Sequence, residues 1–271
     1  MSSNMWGRGI ACPMLALCVS SLAGAADDDG GAKVTLGLGA GFAPQYEGAN
    51  EYRPIPFFVA QARWGARFFI GTEGNGLRAD IVGWRFIEAG PAVTIRFKRD
   101  ANVDDPVIAM LPKVDQSIEV GGFLALNFPM PLTGNEQDGM TLEASYMQDV
   151  AGGHDGHTIQ VSMRYRGRVT ESLVLQIGPF ATRGSESFMS AYYDVSPTSA
   201  AMTGLAPFDA HAGWKDVGAR ADVRYSFTDH WNINGNLQYR HFLGDATDSP
   251  VISERGSPGN WFGGFALGYT F

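Results

Sequence analysis

The last eleven residues constrain the fold most. In Trp261-Phe262-Gly263-Gly264-Phe265-Ala266-Leu267-Gly268-Tyr269-Thr270-Phe271, five residues (Trp261, Phe265, Leu267, Tyr269 and Phe271) share one parity. Gly264, Ala266, Gly268 and Thr270 share the other. Side chains alternate across a strand, so this segment carries one greasy, aromatic face and one small or polar face. A soluble β-sandwich turns its apolar face inward and has no use for such a terminal strand. A strand that closes a barrel against lipid needs this pattern. The segment is therefore expected to be the barrel-closing strand of a transmembrane sheet.

The N-terminus agrees. Arg8 is the only charged side chain in the first 26 residues, and a short apolar run covers 10–20. Ala23-Gly24-Ala25 supplies a small-x-small cleavage site before the acidic Ala26-Asp27-Asp28-Asp29-Gly30. That is the layout of a secretory signal peptide at 1–25, with a single mature domain at 26–271. The apolar run is well short of the roughly 20 residues that a membrane helix requires. Both cysteines, Cys12 and Cys18, fall inside the leader. Leu17 stands where a lipoprotein cleavage box needs a small residue. The mature chain is thus expected to hold neither a disulfide nor a thiolate metal site. A formal net charge of −8 argues against nucleic acid as a partner.

Alternation recurs along the chain, and about twelve strands are expected, with roughly 10–14 compatible with the pattern. In 34–43, Val34, Leu36, Leu38, Ala40 and Phe42 share one face. Segments 53–62, 66–72, 77–86 and 92–99 follow, the first interrupted by Pro54 and Pro56, which cannot donate to a ladder. Ile118, Val120, Leu124, Leu126 and Phe128 share a face, as do Met140, Leu142, Ala144 and Tyr146. Ile159, Val161, Met163 and Tyr165 oppose Arg164 and Arg166. A further strand is expected near 173–182. The clearest hairpin runs Val217, Ala219, Ala221, Val223, Tyr225, Phe227 and returns as Trp231, Ile233, Gly235, Leu237, Tyr239. Its other face carries Arg220, Asp222, Arg224 and Arg240. An arginine facing lipid at mid-membrane costs about 2–4 kcal/mol, so these charges belong in the lumen. The expected fold is an all-β, antiparallel, up-and-down transmembrane barrel, apolar outside and polar inside.

Short links are expected near 63–65, 88–91, 168–171 and 228–230, and long ones near 100–116, 184–213 and 243–260. Met130 to Asp138 is a longer link on the short side. Short periplasmic turns and long external loops place both termini in the periplasm of an outer-membrane barrel.

Two loop clusters stand out: Pro44-Gln45-Tyr46-Glu47-Gly48, and Leu243-Gly244-Asp245-Ala246-Thr247-Asp248-Ser249-Pro250. Read alone, they are turn chemistry. Together with Tyr193-Asp194-Val195-Ser196-Pro197, Gly213-Trp214-Lys215-Asp216-Val217, Asp229-His230-Trp231 and the terminal Tyr269-Thr270-Phe271, they resemble the MipA/OmpV family of outer-membrane proteins. The resemblance spans essentially the whole mature chain, and the Gly-Asp-Ala…Ser-Pro loop is its most specific piece. Asp194 stands where the family pattern has Gly. The resemblance implies an outer-membrane barrel that binds a lytic murein transglycosylase and links it to a murein synthase, as a scaffold in the envelope. Other members are treated as adhesins or porin-like proteins.

Three functions follow for weighing. A scaffold would meet its partner through the short turns. A pore would use the lumen of Arg164, Arg166, Arg220, Asp222, Arg224 and Arg240, which either conducts or is plugged by its own charge pairs. An adhesin would use the long 184–213 loop, whose Phe188, Tyr192, Tyr193 and Phe208 equally suit a cap folded over the barrel mouth. An enzyme is not expected. The histidines are His154, His157, His211, His230 and His241, and no Gly-x-Ser-x-Gly elbow is present. His154, Asp155 and His157 lack a third strong ligand nearby, so neither metal nor cofactor is expected.

Overall fold

The computed structural model describes residues 16–17, 32–65 and 68–271. The leader expected at 1–25 lies, apart from Ala16–Leu17, outside the described residues.

Twelve antiparallel strands close into a barrel. In chain order they are β1 (Ala32–Pro44), β2 (Tyr52–Trp64), β3 (Phe68–Glu73), β4 (Gly76–Asp80), β5 (Ile87–Arg96) and β6 (Ser117–Pro129). The second half comprises β7 (Gly139–Asp149), β8 (His157–Arg168), β9 (Leu173–Gly184), β10 (Gly213–Ser226), β11 (Trp231–Phe242) and β12 (Gly259–Thr270). Each strand pairs with the next, and β12 pairs with β1, from Gly263↔Phe42 to Thr270↔Thr35. Closure removes the sheet edges that a terminal strand would otherwise leave in lipid.

The outer face is apolar as expected. Leu38 is 62% exposed, Phe265 63% and Ile177 57%, values that place them in a solvent of hydrocarbon rather than in a core. Inward positions alternate with them, and Arg164, Asp222, Asn232 and Asn234 are buried.

One sector of the wall is low. β3 and β4 have 6 and 5 residues, against the roughly 9–11 needed to span the hydrocarbon. Their hairpin turns at Gly74 and Asn75, and β3 pairs with β2 only from Gln61↔Gly71 to Trp64↔Phe68. β2 continues for eight residues beyond Ala60 with no full-length neighbour on that side. Among the described residues, only Ala16–Leu17 lies beside it, parallel to Phe57 and Phe58. The amide of Ala60 points to this side, since it donates to Thr72 Oγ1 at 3.3 Å. Pro54 and Pro56 share its parity, so two of the N–H groups this edge would present are missing.

Two expectations need correction here. The segment 77–86 is a strand only to Asp80. Asp80 Oδ1 then accepts from the amides of Val82 and Ala89, which folds 81–86 out as a loop. The 88–91 segment, expected as a short link, lies inside β5, where Gly90 pairs with Phe123 and Pro91 with Gly122. Gly90 is not a turn residue. The carbonyl oxygen of Ala79 sits 2.0 Å from where a Cβ would stand, so the position takes only glycine.

Candidate functional site

The lumen is crossed by ion pairs at two levels. At the first, the low hairpin puts Glu73 inside the barrel. Its carboxylate accepts from Arg78 of β4 at 3.1 Å, Arg164 of β8 at 3.2 Å and Arg220 of β10 at 3.0 Å. Glu143 of β7 joins the belt, 2.8 Å from Arg78 and 2.6 Å from Arg164. Arg78 also stacks on the Phe123 ring, 3.7 Å from its centroid. Side chains from opposite sides of the barrel thus meet in its middle.

The second level lies nearer the long loops and centres on Glu47, in the turn after β1. Glu47 Oε1 accepts from Lys215 Nζ and Arg240 Nη1, both at 2.6 Å, and Arg96 Nη1 stands 3.5 Å away. Tyr193 Oη donates to Glu47 Oε2 at 3.1 Å. Burial raises the Tyr193 hydroxyl well above its usual range and Glu47 adds to this, so it remains a donor. Lys215 reaches the lumen because of a bulge. Thr182 pairs with Asp216 but Arg183 pairs with Trp214, which turns Lys215 and Asp216 to the same side. Arg96 completes the set as a fork on Glu119, at 2.7 and 3.2 Å.

Loops pack over this end as a lid. Helix α1 (Glu186–Tyr193) starts at Ser185, whose hydroxyl accepts from Phe188 N, and α2 (Pro197–Thr203) starts at Ser196 with Pro at its first turn. Two short helices, α3 (Gly244–Asp248) and α4 (Pro250–Ser253), follow β11. Phe188, Met189, Tyr192, Tyr193, Phe242, Ala246 and Ile252 form one buried cluster, and Tyr46, Ala49, Ile108, Leu111, Val195, Leu205 and Val251 another. The Phe188 ring closes over the charges, 4.9 Å from Arg96 Cζ and 5.3 Å from Lys215 Nζ.

The two loop motifs singled out from the sequence therefore meet in space. Gly48 has φ +90°, its amide donates to Asn260 Oδ1 at 2.8 Å, and a Cβ there would stand 2.6 Å from Ile252. Ser249 caps α4 and donates to the carbonyl of Tyr193 at 2.6 Å. Ala246 and Pro250 are buried, Gly244 has φ +51°, and Asp245 accepts from His211 N. These residues join the first, long and last loops into one lid.

The family model described as "MltA-interacting protein MipA" matches residues 36–271. The chain belongs to the MipA family. No individually curated protein matches it. Among solved structures, it is similar to the translocator domain of autotransporter NalP from Neisseria meningitidis, with 11% identity, 89% of this chain and 88% of that one covered, and a TM-score of 0.44. It is also similar to Salmonella typhi OmpF in complex with daunomycin, with 9% identity, 90% and 98% covered, and a TM-score of 0.35. The fold is a closed, twelve-strand antiparallel β-barrel with an apolar outer face, here in a MipA-family chain.

Within this MipA-family barrel, the six charges expected in the lumen divide by partner. Arg164 and Arg220 belong to the Glu73 belt, and Arg240 to the Glu47 cluster. Asp222 accepts from Asn236 at 2.7 Å, and Arg224 donates to Thr270 Oγ1 at 3.2 Å. Arg166 lies near the short-turn mouth. Sequence reasoning missed Glu73 and Glu143 as partners of these arginines, Arg78 as a third cation on the same carboxylates, and the Arg96–Glu119 pair. Glu143 was findable by parity, since it sits between Leu142 and Ala144 on the polar face. Lys215 was not, because its bulge breaks the alternation.

At the closing strand Trp261, Phe265, Leu267 and Phe271 are exposed, and Tyr269 packs edge-on to Trp231 and Phe271. Asp194, at the position where the resemblance implies Gly, has φ −67°, which any residue adopts, and its Oδ1 accepts from Ala210 N. His154 Nδ1 accepts from Gly156 N, so Nε2 carries the proton and donates to Glu119 at 2.8 Å. His157 stacks on Tyr146, and His230 on Tyr269. Among the described residues no group of three or more His, Cys, Asp or Glu is placed to hold a metal ion.

Proposed function

We propose that this chain is a non-enzymatic interaction protein of the outer membrane, with its leader 1–25 removed and its short turns and both termini in the periplasm. Its partner is a lytic murein transglycosylase, held together with a murein synthase. The family description supports the partner, and the doubly crossed and capped lumen carries the choice of scaffold over channel. The buried aromatics of α1 speak against an adhesin, since they face the barrel and not the outside.

A stable interface buries roughly 800 Å² per partner, more than one tight turn offers. The short-turn end supplies two larger loops, 81–86 and 130–138, on which Ile81, Trp84 and Leu132 are 65%, 63% and 72% exposed. Asp138 holds the second loop by accepting from Thr133 N and Oγ1, Tyr165 Oη and Arg168 N.

Crosslinking in intact cells and capture of the tagged chain is the test. A murein transglycosylase enriched over an unrelated barrel supports the reading, with enrichment reduced by Trp84→Ala and Leu132→Asp together. Capture with no murein enzyme above that control overturns it. A small-solute pore is the second reading, favoured by lumen cavities of about 250 and 280 Å³ at the two ends.

A further inference from the structure

The cavity of about 280 Å³ at the short-turn mouth is lined by Arg63 of β2 and by Arg164 and Arg166 of β8, with Glu88, Asp138 and Gln176 beside them. The three guanidiniums differ in what holds them. Arg164 is committed to Glu73 and Glu143. Arg63 and Arg166 make no hydrogen bond or ion pair with any described residue, and the Nε of each is buried without a partner. Arg63 lies over the Phe69 ring, 5.4 Å from its Cζ, and feels Glu88 and Asp80 without bonding to either. Arg166 is buried in the repulsive field of Arg63, Arg168 and Arg224, offset in part by Asp138.

The carboxylates at this mouth reach that charge only through space: Glu88 and Asp80 act on Arg63 and Asp138 on Arg166 without a hydrogen bond or ion pair to either, and Glu136 also lines the cavity. Glu88 accepts from Asn127 and leans to Arg78 at 3.7 Å. Asp138 is occupied by the four donors of its own loop and of β8. On the same face of β2, two residues deeper, Gln61 Nε2 is another buried donor with no partner. Like charges confined away from bulk water repel strongly, so a fold that leaves them unpaired gains from an external counter-charge. A guanidinium offers a planar fork that matches the two oxygens of a carboxylate or phosphate.

We propose that Arg63 and Arg166 form a binding site for a small oxyanion, a phosphate or a dicarboxylate, which enters the barrel from its short-turn end. The two forks grip the anion from opposite walls of the lumen, below the Glu73 belt that stops it from passing further. The site lies at the end of the barrel opposite the lid, between the 81–86 and 130–138 loops.

Calorimetric titration of the purified, folded barrel at low salt tests this, with inorganic pyrophosphate and succinate as separate probes. Binding of at least one probe is expected. Arg63→Gln and Arg166→Gln should each weaken it about tenfold or more, the loss of one charge-assisted pair. Arg166→Lys should lose less, because it keeps the charge and gives up only the fork. Tighter pyrophosphate binding assigns a phosphate ligand, and tighter succinate binding a carboxylate. Arg255→Gln, at the opposite mouth where Arg255 pairs with Asp105, should leave affinity unchanged. Heat-modifiable gel mobility confirms that each variant is a folded barrel. The site is refuted if the wild type binds neither probe, if folded Arg63→Gln and Arg166→Gln barrels bind like the wild type, or if Arg255→Gln weakens binding as much as they do.

Discussion

Glu47 shows how much one side chain can hold. Burial alone would raise its carboxyl, but Lys215, Arg96 and Arg240 outweigh that and hold it well below the usual carboxylate range. A carboxylate depressed in the folded state lends stability that is complete above its unfolded value and lost as pH falls through the folded one. The contribution of Glu47 is therefore intact above its ordinary 4.5 and erodes only in stronger acid. Replacing it with Gln leaves three buried cations short of a counter-charge, at a cost of about 3 kcal/mol. The urea midpoint of the detergent-solubilised barrel at neutral pH should fall accordingly, and the difference from wild type should shrink below pH 4. An unchanged neutral midpoint would refute the central role of this residue. The Tyr46-Glu47-Gly48 stretch was visible in the sequence as a family feature. Its physical purpose was not, since Lys215 and Arg240 come from strands 168 and 193 residues away.

At the scale of elements, β3 and β4 are the weak sector of the wall. Four paired positions join β3 to β2 and three join β4 to β5, against eleven between β10 and β11. Local opening follows the weakest pairing, so amides of 69–79 should exchange with deuterium faster than those of 217–225. Equal protection in the two hairpins would show that the low sector is as firmly closed as the rest. Pro54 and Pro56 fit the same picture. They interrupt the donor pattern of 53–62, yet they sit along the edge where no full-length neighbour calls for an N–H. The β10–β11 hairpin was legible because each residue obeys one rule, apolar toward lipid and polar toward the lumen. The 77–86 segment was not, because Ile81, Trp84 and Phe86 are exposed loop residues whose apolar character imitates a continuing strand. Gly90-Pro91 misled in the opposite direction, since the crowding by Ala79 that demands glycine is a tertiary fact.

For the whole molecule, closure is built twice, and the two barriers are mechanically separate. The lid rests on loops joined through Glu47, Tyr193 and Ser249, whereas the belt rests on strands joined through Glu73. A twelve-strand barrel is wide enough to conduct if its lumen is cleared, being intermediate between filled small barrels and open porins. Deleting 187–205 removes the lid's aromatic core but leaves Arg78, Arg164 and Arg220 on Glu73. Glu73→Ser together with Glu143→Ser dissolves the belt but leaves the lid. In planar bilayers each change alone should therefore give little conductance, and the two combined should give a steady open channel. Porin-like conductance from the unaltered barrel would overturn the closed state, and with it the choice of scaffold over pore. Full opening by the loop deletion alone would show that the Glu73 belt is no barrier to ions, leaving the lid as the sole closure.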